Sequence, residues 1–165
     1  MEEWAIRGLI AIVAAAVGAV LRPWIAHRLT RRMVRGRQQR EMMEAWLAMT
    51  RQKYACFLAG IAVLRQGKRL QEAAIDSIAA LNSLIQGNEM VTRYPWEPER
   101  VLDKELRGLF EELSSVMTHM LCYTLDVAKS GKGRRDVFIE TINGDVRKAE
   151  TLRKRIIERM DKADL

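Results

Sequence analysis

Hydrophobic positions along this chain fall into five stretches, the first apolar all round and the other four at helical spacing. Residues 4 to 24, Trp-Ala-Ile-Arg-Gly-Leu-Ile-Ala-Ile-Val-Ala-Ala-Ala-Val-Gly-Ala-Val-Leu-Arg-Pro-Trp, have no polar face. From Gly8 to Leu21 there is no charge, and a helix apolar all round must be enclosed by protein or lipid. Further on, Met43, Leu47, Thr50, Tyr54, Phe57, Ile61 and Leu64 alternate steps of four and three. That is a heptad seam, widened by Trp46 and Leu58, and it predicts a helix over 37–66. A third helix is expected over 70–86 with Ile75, Ile78, Leu81, Leu84 and Ile85 inward, ended by Gly87. The fourth has the longest seam, Leu102, Leu106, Leu109, Leu113, Val116, Met120, Tyr123 and Val127, over 98–128. The last face, Phe138, Ile142, Val146, Ala149, Leu152, Ile156 and Met160, begins at Asp136 as N-cap.

Breakers punctuate these patterns. Pro23 is expected to kink the exit from the first stretch and Gly36 to end it. Gly67-Lys68-Arg69 reads as a turn, and Pro95 and Pro98 forbid a regular helix before about Glu99. Asn143-Gly144 is expected to split the last segment into two helical pieces. The fold expected is all-α: one N-terminal transmembrane helix, then a cytosolic antiparallel bundle of about four helices.

Length and charge give the first stretch its meaning. A helix of 21 residues reaches about 31 Å, which matches a hydrocarbon core of about 30 Å. Trp4 and Trp24 lie where amphipathic rings favour the two interfaces. Arg7 and Arg22 lie near its ends, close enough to reach the headgroups. A secretory signal is the rival reading, but its basic end precedes the apolar run, whereas here Glu2 and Glu3 precede it. Arg22, Arg28, Arg31, Arg32, Arg35, Arg37 and Arg40 follow with no Asp or Glu among residues 22–40. These seven charges equal the formal net charge of +7 for the whole chain, so the rest cancels. Positive residues beside a span stay on the cytoplasmic side. Three regions result: an anchor (1–24) with its N-terminus out, a basic juxtamembrane arm (25–40) that attracts anionic lipid, and a cytosolic bundle (41–165).

Candidate chemistry adds little to this layout. His27, His119, Cys56 and Cys122 are isolated, so no metal-ligand spacing exists and no cofactor is expected. Glu111, Glu112 and Asp126 are tied to no nucleophile, so no catalytic residue is assigned and an enzyme is not expected. Tyr94 and Trp96, in the proline-bracketed loop, are either a partner-binding pair or a cap on the bundle end. Ser130-Gly-Lys-Gly-Arg-Arg-Asp136 lacks the spacing of a phosphate-binding loop. It nevertheless brings Lys129, Lys132, Arg134 and Arg135 into one candidate contact for phosphate or a nucleotide. Nucleic acid is not an expected partner, because the basic run has no interleaved aromatics beyond Trp24.

The stretches Ala45-Trp-Leu-Ala-Met-Thr-Arg51, Ile78-Ala-Ala-Leu-Asn-Ser-Leu-Ile-Gln-Gly87 and Leu113-Ser-Ser-Val-Met-Thr-His-Met-Leu-Cys-Tyr123 carry a resemblance. The chain resembles a group of small uncharacterised bacterial membrane-anchored proteins with one N-terminal span, an arginine-rich exit and a short helical cytosolic domain. The resemblance implies an architecture and no activity. Two functional expectations stand. The first is a non-enzymatic interaction protein of the bacterial inner membrane that forms a homo-oligomer or holds a protein partner, its spans packing through Ala11, Ala14, Ala15, Gly18 and Ala19. The alternative looks like small membrane effectors of antiphage defence, whose cytosolic domain receives a cyclic nucleotide signal.

Overall fold

A computed structural model describes the backbone of residues 2–163 and the side chains of residues 33–163. Every regular element in it is helical: α1 (Glu2–Arg65), α2 (Leu70–Gln86), α3 (Glu89–Arg93), α4 (Lys104–Ser130) and α5 (Arg135–Lys162), with a 3-10 turn at Pro98–Arg100. The chain divides into two units, Met1–Gln39 and Arg40–Leu165. Among the described residues no helix is long and apolar enough to cross a membrane. The expected span, its interfacial Trp4, Trp24, Arg22, Arg28, Arg31 and Arg32, and the stripe of Ala11, Ala14, Ala15, Gly18 and Ala19 all lie outside the described side chains. In the first unit the described side chains are largely exposed, Met33 and Val34 among them.

The second unit is a helical bundle with a continuous core. On α1 all seven seam residues from Met43 to Leu64 are buried, and Trp46 is completely so. On α4 the seam from Leu106 to Val127 is buried apart from the half-buried Tyr123, and Phe110 joins it. On α5 Phe138, Ile142, Ala149, Leu152, Ile156 and Met160 point inward. Helical spacing of large apolar residues therefore sets three of the four core faces.

The α2 helix departs from that rule. Ile75 and Ile85 are exposed, while Ala73, Ala74, Ser77 and Leu81 are buried. The reason is close approach at Gly60 of α1. A Cβ placed there would lie 1.9 Å from Ser77 Oγ and 3.0 Å from the Ala73 carbonyl oxygen. Only a small face lets the two backbones come that near, so α2 turns Ala73, Ala74 and Ser77 inward and Ile75 out.

Five boundaries also differ from the pattern-based expectation. α1 runs through Gly36, where open space surrounds the missing side chain and a lone glycine costs a helix only about 1 kcal/mol. α5 runs unbroken through Asn143-Gly144, because the seam on either side holds register and the neighbouring Asp145 meets His119 of α4 at 2.6 Å. The loop after α2 contains the short α3, capped by the Asn88 side chain, before Pro95 stops it. α4 starts at Lys104 instead of residue 98, with Asp103 as N-cap. Leu102 thus falls outside the helix and is 72% exposed. At α5 the N-cap is Arg134, two residues earlier than expected, and Asp136 sits in the first turn.

Two outcomes test this packing. Gly60→Ala is expected to lower stability by about 1–3 kcal/mol in urea unfolding through overpacking. The double variant Gly60→Ala/Ser77→Ala should recover part of that loss, since the nearest obstructing atom is gone. The Asp103 carboxylate accepts from Leu106 N at 2.9 Å and pairs with Arg159 at 2.9 Å, and the first of these bonds holds its pKa below the usual carboxylate value. A pKa depressed on folding stabilises above the unfolded value and is lost as pH falls through the folded one. Asp103→Ala should therefore cost about 1 kcal/mol at neutral pH, with the difference from wild type closing below about pH 4.

Candidate functional site, a cavity between three helices

Helical spacing brings one face of each of three helices to a common cavity. α1 contributes Thr50, Lys53 and Phe57, at i, i+3 and i+7. α2 contributes Leu81 and Ile85, and α4 contributes Ser114, Met117, Thr118 and Leu121. Trp96 closes one end from the loop between α3 and α4. The cavity measures about 270 Å³ and its walls are mostly carbon.

Trp96 is held there by stacking. Its ring centroid lies 5.1 Å from Trp46 and 5.8 Å from Phe110, and Trp46 and Phe110 meet edge to face at 5.3 Å. Trp46 donates its indole N–H to the Tyr94 carbonyl at 3.1 Å. Arg93 lies over the Tyr94 ring at 5.4 Å. The two aromatic residues of the loop thus sit against the bundle end, Tyr94 through its backbone and Trp96 through its ring.

The polar groups of the cavity are unevenly satisfied. Thr50 is buried and donates to the Trp46 carbonyl at 2.8 Å. The Trp96 indole N–H is buried and has no acceptor. Arg153 Nε is also buried without a hydrogen-bond partner, but its guanidinium group is engaged with Glu150, and Arg159 Nε lies 3.1 Å from Glu105 Oε2 while the same guanidinium pairs with Asp103. The indole has a single polar atom and no such alternative. Lys53 makes no ion pair with any described residue, and burial pushes its ammonium below the ordinary lysine value. No other titratable side chain lines the cavity. A mostly apolar pocket with a few polar side chains on its wall is the usual form of a small-molecule site.

The basic loop is placed elsewhere. Lys129 and Lys132 are exposed. Arg134 pairs with Asp136 at 2.5 Å, and Arg135 donates to the Leu64 carbonyl at the end of α1. None of the four lines the cavity. Gly131 caps α4 in the left-handed conformation at φ 61°, and Gln71 of α2 donates to the Ala128 carbonyl at 2.9 Å, which docks the loop on α2. Of the carboxylates weighed above, Glu112 lies 3.4 Å from Lys148 of α5 while Glu111 and Asp126 are exposed.

Sequence reasoning passed over Lys53, Ser114 and Thr118. A lysine three residues from one seam position and four from another looks like an ordinary helix flank. Only the position of Trp96, which no periodicity gives, turns that flank into a cavity wall. Compared with protein families, with curated proteins and with solved structures, the chain matches none of them.

A desolvated, unpaired lysine has a measurable signature. Its folded pKa lies below the ordinary 10.5, so the folded state carries a charging cost that disappears once Lys53 loses its proton. Stability should therefore rise with pH as 10.5 is approached. Lys53→Met should remove this slope and raise the urea midpoint at pH 7, which unfolding at pH 7 and at pH 10 will show.

Proposed function

We propose that this chain is a membrane-anchored, non-enzymatic helical interaction protein of the bacterial inner membrane. On this reading the N-terminus faces out, residues 1–24 span the bilayer, the arm 25–40 lies against anionic lipid, and the bundle is cytoplasmic. The observation that carries it is the uncharged stretch Gly8–Leu21 between two tryptophans, followed by seven arginines and no acid up to Arg40. A stretch of that composition needs a non-aqueous surrounding, and the charge asymmetry supplies a direction. The compact bundle unit begins at Arg40, where the basic run ends.

Self-association on this reading belongs to the span. The long seams of α1, α4 and α5 are buried within the single chain, so they have little left to offer a second copy. The small residues Ala11, Ala14, Ala15, Gly18 and Ala19 are what would let spans pack closely. The nucleotide-effector reading draws less support. Arg134 is occupied by Asp136 and Arg135 by a helix-terminal carbonyl, leaving Lys129 and Lys132 as the exposed pair.

Fractionation of lysed cells tests the anchor. Full-length protein should pellet with membranes, stay there in about 1 M salt, where screening shortens the Debye length to about 3 Å, and enter solution with detergent. Recovery in the high-speed supernatant without detergent would end this reading, and release by salt alone would reduce the attachment to the basic arm. In the extracted particle, Ala15→Leu together with Gly18→Leu should lower the measured mass toward that of one chain.

A further inference from the structure

Two turns meet at one end of the bundle. Arg135 donates to the Leu64 carbonyl at the end of α1, and Gln71, in the first turn of α2, donates to the Ala128 carbonyl at 2.9 Å. A Cβ on Gly133 would lie 3.1 Å from Leu70 Cδ2, so the turn between α4 and α5 rests on the start of α2. Arg65, Lys68 and Arg69 of the first turn thereby join Lys129, Lys132, Arg134 and Arg135 of the second, and all are exposed. Residues 65–76 and 129–136 hold these seven bases and three acids, whereas the rest of the bundle (41–165) holds thirteen bases and sixteen acids. Positive charge is gathered at one end of a unit whose remainder is acidic. Lys68 pairs with Asp76 and Arg134 with Asp136, but Arg65, Arg69, Lys129 and Lys132 make no ion pair with any described residue.

We propose that this end binds the phosphate backbone of duplex nucleic acid without reading its sequence. Neither stretch holds a Phe, Tyr, Trp or His, so the end has no ring on which a nucleotide base or an unpaired strand could stack. It offers cations alone. A duplex asks for no more, because its bases are stacked inside and its outer surface is phosphate. Charge density points the same way. Packed helices lie about 8–10 Å apart, so the bundle end is about 20 Å across. A duplex carries one charge per roughly 1.7 Å, or about twelve over that length, enough on its near side for every unpaired cation. An acidic peptide reaches at best one charge per roughly 3.3 Å. The end also lies about 38 Å along α1 from Arg40, where the basic arm enters, so it is a separate surface and not a continuation of the arm. This assignment goes beyond the anchor reading and stands without it.

Lysine footprinting of the full chain tests it, because residues 22–40 contain arginines and no lysine, so acetylation read by mass spectrometry reports on the bundle and not on the arm. The chain is held in nonionic detergent, where it stays in solution with or without a membrane span. A DNA duplex of about 24 base pairs should protect Lys68, Lys129 and Lys132 while Lys104, Lys148 and Lys154 keep their reactivity, and a second duplex of unrelated sequence should act alike. The affinity read from Lys68 protection should fall about 100-fold or more between roughly 50 and 200 mM salt, as four phosphate contacts require. Arg69→Gln, Lys129→Gln and Lys132→Gln together should lower the slope of log affinity against log salt by about 3. Duplex binding that protects no lysine at this end belongs to the arm and overturns the proposal, as does the absence of binding. Equal protection by a single strand, by poly-glutamate or by micelles of short-chain phosphatidylglycerol overturns it too. So does an affinity unmoved by the triple variant in protein whose unfolding shows it folded.

Discussion

Trp46 has no exposed surface, and an indole N–H buried inside a helical bundle faces a shortage of acceptors. Carbonyls within the neighbouring helices already accept from their own backbone four residues on. The chain meets this need with a segment that cannot be helical. Pro95 and Pro98 keep residues 94 to 97 out of α3 and α4, so the Tyr94 carbonyl is free to accept at 3.1 Å. That bond draws the loop across the bundle end, lays Trp96 on Trp46 and Phe110, and so builds one wall of the cavity. An acceptor for one tryptophan is bought with a buried, unpartnered donor on the other.

Much of the bundle is legible in the pattern of residues because large apolar side chains must be buried wherever they recur at helical spacing. The α1 seam is the clearest case, every member from Met43 to Leu64 being buried. The same logic fails on α2 because it equates size with inwardness. At Gly60 the two backbones are close enough that Ala73 and Ser77 fill the gap, and Ile75 has no room there. Local breakers misled for a related reason. Gly36 and Gly144 each cost a helix only about 1 kcal/mol, and at Gly144 an intact seam outweighs that loss. The candidate site was legible in one residue, Trp96, since an aromatic residue between two prolines has to be placed by tertiary contact. Lys53 carried no signal, because its meaning depends on what covers it.

The C-terminal helix shows how polar contacts set register while carbon supplies stability. Tyr54 donates to Glu150, and Arg153 donates to the Tyr54 hydroxyl at 3.2 Å and to both Glu150 oxygens, joining α1 to α5 beside the core. Farther out, Arg159 meets Asp103, Lys148 meets Glu112 and Arg40 meets Asp161. Exposed pairs of this kind contribute about 0–1 kcal/mol each, far less than burying Phe138 or Ile156. Their value is positional: a slip of α5 by one turn would break them together and would also lose the 5.8 Å stack of Tyr123 on Phe138.

Basic residues in this chain consequently fall into two populations. Many of those in the bundle have acids within reach, in sequence or across a helix contact, and use them. Arg22, Arg28, Arg31, Arg32 and Arg35 have no Asp or Glu within four positions on either side, so the i,i+4 pairing that neutralises helix-borne charge is closed to them. Five like charges within 14 residues repel one another unless water, salt or an external anion offsets them. Over residues 41–128 acids outnumber bases, and several of them are engaged with bases of the same unit, as in Lys68–Asp76 and Lys148–Glu112. On the anchor reading proposed above, an anionic lipid surface would supply the arm's counter-charge at high local density beside a stretch that calls for an apolar surrounding, so one environment would answer both demands.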